Sequence, residues 1–510
     1  MSIRKRAIRK AGGSCLSKEK GGPMAEQPGL PSGAYRPFSE EEVRRIEEGV
    51  MWVLENVGIQ VNSEQARELL LSAGAKKKGK NVILFPEKLV RWAIDEAPSK
   101  VVLYGREDRH NLTLEDARVY FGTGGTVLYT LDLETGQRRP TTVVDIAQVG
   151  KLVDALENVH FYLLPLYPNE LPKEQVDVNR FYAGLTSTTK HIMGGIYTME
   201  GLREAIELAE MIAGGAEALR ERPIVSFITC TVAPLRLDAL YTDFLIEIAK
   251  RGLPVAIPSE VLAGVTGPMT IAGSTVVQLA ETLAGLVVAQ LVNPGTPVIL
   301  GTVSTVMDPR RAGYLSGAIE MGLMQAGVAQ MAQYYQLPLY ATAGMSDSKL
   351  PDAQAGYEKA LTALLVGMAG ANFIHDAAGP LEFCTTVAYE QYVIDDEILG
   401  MVMRAIRGVE VTDDTLALEV IDQVGPGGHF LTHPHTLKYM RTELFLPKVS
   451  DRDLRERWEA KGGLDTRERA RAIARRLLRE HRPKGLPQDL DRKIRKRFPH
   501  IALSEEEVRP

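Results

Sequence analysis

Cysteine is scarce in this chain of 510 residues, which contains only Cys15, Cys230 and Cys384. Three cysteines so far apart do not make a disulfide framework, and no CxxC or CxH cluster supplies a thiolate metal site. The sequence therefore predicts a protein of the reducing cytoplasm that holds no metal of its own.

Extended apolar segments are also missing. The most apolar stretch, residues 280–292, is interrupted by Glu281, Gly285 and Gln290, whereas a membrane span needs about 18 or more apolar residues in succession. Hydrophobic residues nevertheless make up 45% of the chain and charged residues 25%, which is typical of a globular protein with a large core. We expect no membrane partner.

Acidic residues are rare in the first 37 positions. Eight lysines and arginines stand there against Glu19 and Glu26, so the net charge of −5 divides into +6 for this segment and −11 for the rest. A basic tail could touch nucleic acid or anionic lipid, but we favour a solvated, disordered extension over residues 1–37 and expect no nucleic-acid partner. No apolar stretch of about 7 residues follows, as a secretory signal would require.

Several motifs of well-known enzyme classes do not occur. The chain has no GxxxxGK[ST] phosphate loop, no HExxH zinc helix, no GxSxG nucleophile turn and no EF-hand loop. Each of these patterns supplies the reacting or ligating groups of one kind of chemistry. Their absence removes support for phosphoryl transfer, zinc-protease chemistry and serine-based acyl transfer.

From residue 119 onwards, short apolar runs alternate with amphipathic stretches, which is the pattern of parallel βαβ units. Strands are predicted at residues 119–122, 161–166, 192–197, 224–230, 254–258, 298–303, 339–343 and 372–376, and helices at residues 144–156, 173–188, 201–213, 238–250, 275–291, 313–335, 352–368 and 389–407. Eight couplets within residues 119–410 predict an α/β fold, a (β/α)8 TIM barrel. A doubly wound open sheet is the alternative, but FGTGGTV at residues 121–127 is not a full GxGxxG and no helical pattern follows it.

Two further regions flank the predicted barrel. Residues 38–118 predict an N-terminal helical and α+β extension, in which Ser63 is placed to cap a helix over residues 63–72. Residues 411–510 begin with a less regular loop and continue as a charged helical tail. We expect this tail to pack on the outside of the barrel.

In a (β/α)8 barrel the reacting side chains stand at the carboxyl ends of the strands, which restricts the candidates. His375 is the leading polar candidate, because an imidazole there could hold a substrate carboxylate. His433 and His435 could chelate a metal, but their spacing around a proline favours a capping or turn role. Cys230 and Cys384 lack a paired base and are interpreted as small buried hydrophobic residues. The other side chains expected at strand ends are Phe121, Tyr129, Tyr167, Tyr197, Glu260, Thr302, Ser304, Asp347 and Asp376.

Two long motifs carry a family resemblance. Residues 346–359 run SDSKLPDAQAGYEK and lead into a helix and an AGANFI strand, and residues 427–452 run GGHFLTHPHTLKYMRTELFLPKVSDR. In this order they resemble the trimethylamine methyltransferase family, the MttB superfamily of corrinoid-protein methyltransferases, and a looser likeness extends over residues 40–480. The resemblance implies a (β/α)8 barrel that transfers a methyl group from a methylated amine to the cobalt of a partner corrinoid protein.

The sequence differs from the family pattern in one respect that restricts the implied class of substrate. Trimethylamine enzymes of the family contain pyrrolysine, whereas this sequence consists of the standard twenty amino acids. It therefore resembles the branch without pyrrolysine, which acts on quaternary amines such as glycine betaine, proline betaine or carnitine. A quaternary ammonium leaves as a neutral tertiary amine, so its demethylation by Co(I) needs positioning and no general acid. We accordingly assign no catalytic acid or base.

The resemblance to this branch suggests a set of substrate-binding residues. Aromatic faces attract quaternary ammonium groups by roughly 0.5 to 2 kcal/mol each. Glu260 would attract the cation through its charge, and His375 would hold the carboxylate of a betaine. The walls of a sparse aromatic cage are assigned first to Phe383 and Tyr129, and then to Tyr167 and Tyr197.

Partners follow from the same resemblance. No DxHxxG motif for carrying cobalamin occurs, so the corrinoid is expected on a partner that docks over the barrel mouth, on exposed surface near residues 345–350 and 380–383. Independently of the resemblance, we expect a homo-oligomer, since barrels of this size commonly self-associate. Two alternatives stay open: a non-catalytic betaine-binding or regulatory barrel, and a metal-dependent methyltransferase that acts through His433 and His435.

Overall fold

Eight parallel strands, each followed by a helix, form the centre of the chain, of which a computed structural model describes residues 29–508. The strands are β1 (Arg118–Thr123), β2 (Tyr162–Leu163), β3 (Ile192–Gly195), β4 (Val225–Ile228), β5 (Val255–Ser259), β6 (Val298–Thr302), β7 (Leu339–Thr342) and β8 (Phe373–Ala378). The helices are α1 (Val143–Asp154), α2 (Lys173–Ser187), α3 (Met199–Ala213), α4 (Ala239–Lys250), α5 (Ile271–Val292), α6 (Ile319–Tyr335), α7 (Ala353–Ala369) and α8 (Tyr389–Arg407). The predicted α/β class is confirmed.

The parallel strands pair in the order β1, β8, β7, β6, β5, β4, β3, β2. The two strands that end this order also contact each other. Gly122 and Phe161 form a parallel bridge, and the N–H of His160 donates to the carbonyl of Phe121 over 2.6 Å. Every strand thus has its neighbours in the chain as neighbours in space, which short βαβ crossovers produce.

A hairpin fills the amino end of the sheet. Val101–Leu103 pairs antiparallel with Leu112–Leu114, and its side chains cluster with Tyr120 and Phe373 from the first half of β1 and β8. The hydroxyl of Tyr120 accepts a hydrogen bond of 3.0 Å from the N–H of Thr113. Because this end is filled, open space between the strands is left at their carboxyl ends.

Capping side chains fix where several helices begin. The hydroxyl of Thr142 and the carboxylate of Asp145 form a reciprocal capping box at the start of α1, and Asp352 caps α7. Ser63 caps Glu64–Ser72, as predicted. Such caps satisfy N–H groups that a first helical turn leaves without partners.

The N-terminal α+β layer covers α5. Its elements are the helices Glu40–Trp52, Glu64–Ser72 and Glu87–Glu96 and the strands Ile59–Val61, Lys76–Lys78 and Val82–Leu84. By length and composition α5 could cross a membrane, but 78% of its most apolar window is buried inside the protein. Packing against both the sheet and this layer accounts for its apolar character.

The helix predicted from residue 313 begins at Ile319 instead. Gly313–Tyr314 forms a short antiparallel pair with Thr305–Asp308, and the carboxylate of Asp347 accepts from the N–H of Ser316 at 2.7 Å. These bonds hold the segment in a non-helical conformation beside the carboxyl ends of the strands.

A second small sheet, which the sequence did not predict, joins the loops that follow β1 and β8. Its strands are Tyr129–Leu131, Arg138–Pro140, Pro380–Leu381 and Thr386–Ala388. The remaining short elements within the described residues are Val53–Val57, Asp108–His110, Ala216–Glu221, Arg236–Leu237, Leu262–Ala263, Arg455–Ala460 and Glu505–Val508.

Segments near both ends of the described residues pack against the central strands and helices. Part of the predicted disordered tail is ordered, because Leu30–Pro31 pairs with the start of β1; residues 1–28 lie outside the described residues. Near the other end, Thr466–Glu480 packs on α8 and α1, and Gln488–Arg497 packs on α3. Residues 408–447 carry three short helices but contain no buried residue.

Candidate active site

A cavity of about 410 Å³ opens at the carboxyl ends of the parallel strands. Each of the eight strands, or the loop directly after it, contributes to its lining, through Gly125, Leu163, Gly195, Cys230, Glu260, Val303, Tyr340 and His375 in chain order. Sites for small molecules commonly occupy about 300–1,000 Å³, and βα folds place active sites at these strand ends. The cavity is therefore the candidate active site.

Aromatic rings and carboxylates are prominent in the lining of this cavity. The rings belong to Tyr197, Tyr241, Tyr314, Tyr340 and Phe383, and the carboxylates to Glu260 and Asp376. Within the described residues, no lysine or arginine lines the cavity. Ring faces and carboxylates both attract positive charge, so the lining is suited to a cation.

His375 lines the cavity with its ring stacked on that of Tyr340. The ring centroids are 4.0 Å apart and the planes are inclined by 19°. Nδ1 of His375 lies 3.0 Å from Oδ2 of Asp376, which pairs this nitrogen with the carboxylate, whereas Nε2 has no hydrogen-bond partner within the described residues. A buried polar atom without a partner is costly, so this imidazole is available to a polar group of a ligand.

Asp376 lines the same cavity although it is the next residue of the strand. Successive strand residues normally point to opposite faces, but the pairing of β8 with β1 is irregular between Ile374 and Ala378, and Asp376 has a φ of 60°. The hydroxyl of Thr342 donates to Oδ2 of Asp376 over 3.0 Å. The irregularity in β8 thus turns both His375 and Asp376 toward one space.

Glu260 follows β5 and projects into the cavity, where its side chain is accessible to water although protein surrounds it. Burial raises the pKa of its carboxyl group; the negative charge of Asp376 raises it further, and His375 lowers it. A bound cation would favour the ionised form and draw this pKa back down.

Phe383 is held by a strained turn. Glu382, Phe383 and Cys384 all have φ between 50° and 61°, a region that costs non-glycine residues about 1–2 kcal/mol each. The N–H of Glu382 donates to the carbonyl of Ser348 at 2.8 Å, and the N–H of Phe383 to that of Ser346 at 3.3 Å. Such a conformation persists only where neighbours enforce it, and here it fixes the ring of Phe383 beside the cavity.

The SDSK motif at residues 346–349 supports the cavity without lining it. The carboxylate of Asp347 accepts from both the N–H and the hydroxyl of Ser316, each at 2.7 Å, on the segment that carries Tyr314. The ammonium of Lys349 lies 4.4 Å from the ring centroid of Phe383. The motif therefore supports two aromatic residues that line the cavity, Tyr314 and Phe383.

Four of the six predicted binding residues meet at this cavity, namely His375, Phe383, Glu260 and Tyr197. Tyr167 reaches it only indirectly, because its ring packs edge-on against Tyr197 with centroids 5.4 Å apart. Tyr129 does not line it. The guanidinium of Arg138 lies 3.5 Å from the centroid of Tyr129 and 3.2 Å from the carboxylate of Glu382, so Tyr129 supports the turn beside Phe383.

Three tyrosine rings that line the cavity were not predicted from the sequence. Tyr340 lies inside an apolar strand, Tyr241 in the first turn of α4 and Tyr314 in the hairpin that was predicted to be helix. Only Tyr340 carried a usable signal: it shares a strand face with Thr342, whose hydroxyl at a strand end indicates a polar environment.

Cys230 and Cys384 also line the cavity and are half-buried free thiols. Burial raises the pKa of each thiol well above its usual range, and the charges of Glu260 near Cys230 and Asp376 near Cys384 add to the effect. They are therefore neutral wall residues at neutral pH and not the fully buried core residues that the sequence suggested.

His433 caps the helix Pro434–Tyr439, since its Nδ1 accepts from the N–H of His435 at 3.2 Å. His435 in turn lies 3.0 Å from the carbonyl of Asp414. The predicted capping role is confirmed for His433. Residues 29–508 contain no group of three or more potential ligands placed to hold a metal ion.

The exposed surface predicted near the cavity mouth is largely buried. Residues 345–348 and 380–381 are buried and residues 382–383 are half-buried, so only Lys349 and Leu350 are exposed in these two segments. The expectation of exposed surface was wrong for most of these residues, because the side chains of the SDSK motif make the internal contacts described above.

Comparisons with known proteins match nearly the whole chain. The family model described as trimethylamine methyltransferase (MTTB) matches residues 5–502. The chain is 36% identical over 459 residues to trimethylamine methyltransferase MttB of Desulfitobacterium hafniense (strain DSM 10664 / DCB-2), covering 90% of this chain and 92% of that protein. It is 35% identical over 463 residues to glycine betaine methyltransferase of Desulfitobacterium hafniense (strain Y51), covering 90% and 96%. The solved monomethylamine methyltransferase MtmB of Methanosarcina barkeri gives a TM-score of 0.48 at 11% identity, over 86% of this chain and 92% of that chain.

Proposed function

Because the chain belongs to the trimethylamine methyltransferase (MTTB) family and is therefore a methyltransferase, we propose that it moves a methyl group from a quaternary amine to the Co(I) centre of a partner corrinoid protein. The observation that carries this proposal is the cavity, which combines five aromatic rings and two carboxylates with no lining lysine or arginine among residues 29–508. Glycine betaine, proline betaine and carnitine are the candidate substrates.

The cavity supplies attraction and orientation in the proposed reaction. Glu260 and the ring of Phe383 would contact the ammonium group, and the carboxylate of a betaine would accept a hydrogen bond from Nε2 of His375, which lacks a partner within the described residues. Two anchors at opposite ends of a small zwitterion fix the direction of its N–CH₃ bonds. Orientation of this kind contributes to rate by removing rotational freedom before the reaction.

The transfer balances without a proton. Reduced cobalt supplies the nucleophilic electron pair that forms the new bond to carbon, the C–N bond breaks, and its electrons leave with a neutral tertiary amine. Since positive charge leaves nitrogen in this step, cation contacts stabilise the bound substrate more than the transition state. We therefore interpret Glu260, with its raised pKa, as a moderate attractor of the substrate.

The corrinoid is proposed to remain on its partner protein. A cavity of about 410 Å³ suits a small amine and is far too small for a corrin ring, which would cover the mouth. We also propose that the strands close into a (β/α)8 barrel, which the bridge between Gly122 and Phe161 supports. The chain is proposed to act in the cytoplasm, where a reducing environment suits Co(I), and as a homo-oligomer.

The reaction is tested by combining the purified chain, candidate corrinoid proteins reduced to Co(I), and glycine betaine, proline betaine, carnitine or trimethylamine in turn. We expect loss of the Co(I) spectrum and appearance of methyl-Co(III) with at least one quaternary amine. Calorimetry on the same ligands separates binding from transfer. Binding without transfer to any corrinoid acceptor would replace this proposal by the non-catalytic ligand-binding alternative, and the absence of both would overturn it.

A further inference from the structure

Residues 408–447, called the arm below, form a folded segment without a core. The helices Asp413–Leu416, Leu418–Val424 and Pro434–Tyr439 lie in it, yet none of its residues is buried. Helices this short do not persist alone in water, and a segment stays ordered only where burial offsets its loss of conformational entropy. The ring of Phe445 packs on α8, where a Cβ on Gly400 would lie 2.5 Å from it, but even with this contact every residue of the arm stays at least partly exposed. The arm therefore needs a further surface beyond the one that its own chain provides.

Polar contacts organise the arm and leave its apolar side chains outside. Asp414 accepts from the ammonium of Lys438 and the hydroxyl of Tyr439, which ties the first helix to the third. The large apolar side chains of the arm that are exposed are Val409, Val411, Leu416, Leu418, Ile421, Phe430, Leu431, Leu437, Met440, Leu444 and Leu446. These side chains all lie within residues 409–446, and exposed apolar surface on a soluble protein often marks an interface.

The arm lies at the end of the sheet opposite to the cavity. Ile406, near the end of α8, approaches Gly367 near the end of α7, so closely that a Cβ on Gly367 would lie 3.1 Å from its Cδ1. The chain returns at Lys448, whose ammonium lies 2.8 Å from the carboxylate of Glu157, shortly before β2 begins. These contacts place both bases of the arm at the amino ends of the strands, where a partner that must reach the cavity cannot dock.

We propose that the arm is the contact surface between two copies of this chain. Permanent homodimer interfaces are more apolar than transient ones, and a two-fold arrangement presents the same patch from both copies. Contact through the arm also leaves both cavities open. This inference rests on the self-association proposed above and is independent of the proposed methyl transfer.

Two charge substitutions in the arm test this contact in the full-length chain. Leu431 and Leu437 are 78% and 63% exposed, so Leu431→Glu and Leu437→Glu cost the isolated monomer little. Leu71→Glu, at an exposed leucine of the N-terminal layer, is the matched control. Sedimentation velocity over a concentration series is expected to show a dimer or larger for the unmodified chain and the control, and a dissociation constant raised by at least about tenfold for each arm variant. Circular dichroism establishes that every variant is folded.

Several results would overturn the arm contact. These are a monomeric unmodified chain, an assembly that survives both arm substitutions, or equal dissociation of the Leu71→Glu control. Arm variants that lose affinity for a corrinoid protein while they remain dimeric would assign the arm to that partner instead. Methyl transfer is measured in parallel: a monomeric variant that still turns over leaves the proposed chemistry intact, whereas an intact dimer without turnover counts against the chemistry alone.

Discussion

Gly124 and Asp376 approach each other so closely that a Cβ on Gly124 would lie 2.5 Å from Oδ1 of Asp376 and 2.6 Å from its backbone nitrogen. Nδ1 of His375 would be only 2.9 Å away. Real side chains do not tolerate such distances to backbone atoms. The glycine therefore allows the loop after β1 to support the irregular part of β8 that turns His375 and Asp376 into the cavity.

Gly124→Ala is expected to displace these two residues and to weaken ligand binding by about tenfold or more, with a loss of stability of about 1–3 kcal/mol from overpacking. Gly195→Ala is the matched control, because Gly195 lines the same cavity but a Cβ there meets no atom within 4 Å. Calorimetry with tetramethylammonium measures the binding. Unchanged affinity in Gly124→Ala would show that this contact does not shape the site.

His375→Leu tests the proposed anchor for a carboxylate, because leucine fills similar space but, unlike glutamine, has no hydrogen-bond donor. A hydrogen bond to a charged group contributes about 1.5–3 kcal/mol, so we expect glycine betaine to bind about 10- to 100-fold more weakly. Tetramethylammonium, which has no carboxylate, should bind within about twofold of its original affinity. Tyr340→Phe keeps the ring beneath His375 and serves as the control. An equal loss for both ligands would indicate a collapsed cavity and refute the carboxylate role.

Glu260→Gln removes a negative charge while keeping the shape of the side chain. We expect about tenfold weaker binding of tetramethylammonium and little change for neopentyl alcohol, an uncharged ligand of similar shape. Because burial and Asp376 raise the pKa of Glu260, the carboxylate is protonated at a higher pH than usual, and cation binding should weaken as the pH falls through that raised pKa. In Glu260→Gln this part of the pH dependence should disappear, and its persistence would assign the attraction to another group.

The regular part of the fold was predictable from sequence, and the non-regular part was not. Strand and helix periodicity follow from local patterns, so the eight couplets of residues 118–407 were found close to their observed positions. Tyr314 was missed because the bond from Ser316 to Asp347 overrides the local helical pattern, and that contact spans 31 positions. Tyr129 was misplaced for a similar reason, since its ring is occupied by Arg138, a pairing that only the unpredicted small sheet brings about.

The stability of the chain should fall in mild acid because buried histidines are held neutral. Burial lowers the pKa of His160 to about 3 and that of His191 to about 4, and the ring of His191 is bound at both nitrogens, to the carbonyl of Tyr104 and the hydroxyl of Ser226. An unfolded histidine titrates near 6.5. The unfolded state therefore takes up protons first as the pH drops below about 6.5, and stability is lost until the folded pKa is reached.

At pH 5 this effect amounts to about 2 kcal/mol for each such histidine relative to pH 7. Urea unfolding at pH 7 and pH 5 measures this loss of stability. Other groups that titrate in this range contribute equally to the unmodified chain and to each variant, so the difference between them isolates the substituted histidine. His191→Gln should be less stable at pH 7, because it loses a fitted ring, but should lose about 2 kcal/mol less than the unmodified chain on acidification. His429→Gln, at an exposed position, is the control and should lose as much unfolding free energy between pH 7 and pH 5 as the unmodified chain. If the free energy of unfolding of His191→Gln falls between pH 7 and pH 5 as much as that of the unmodified chain, the buried imidazole of His191 does not cause the sensitivity to acid.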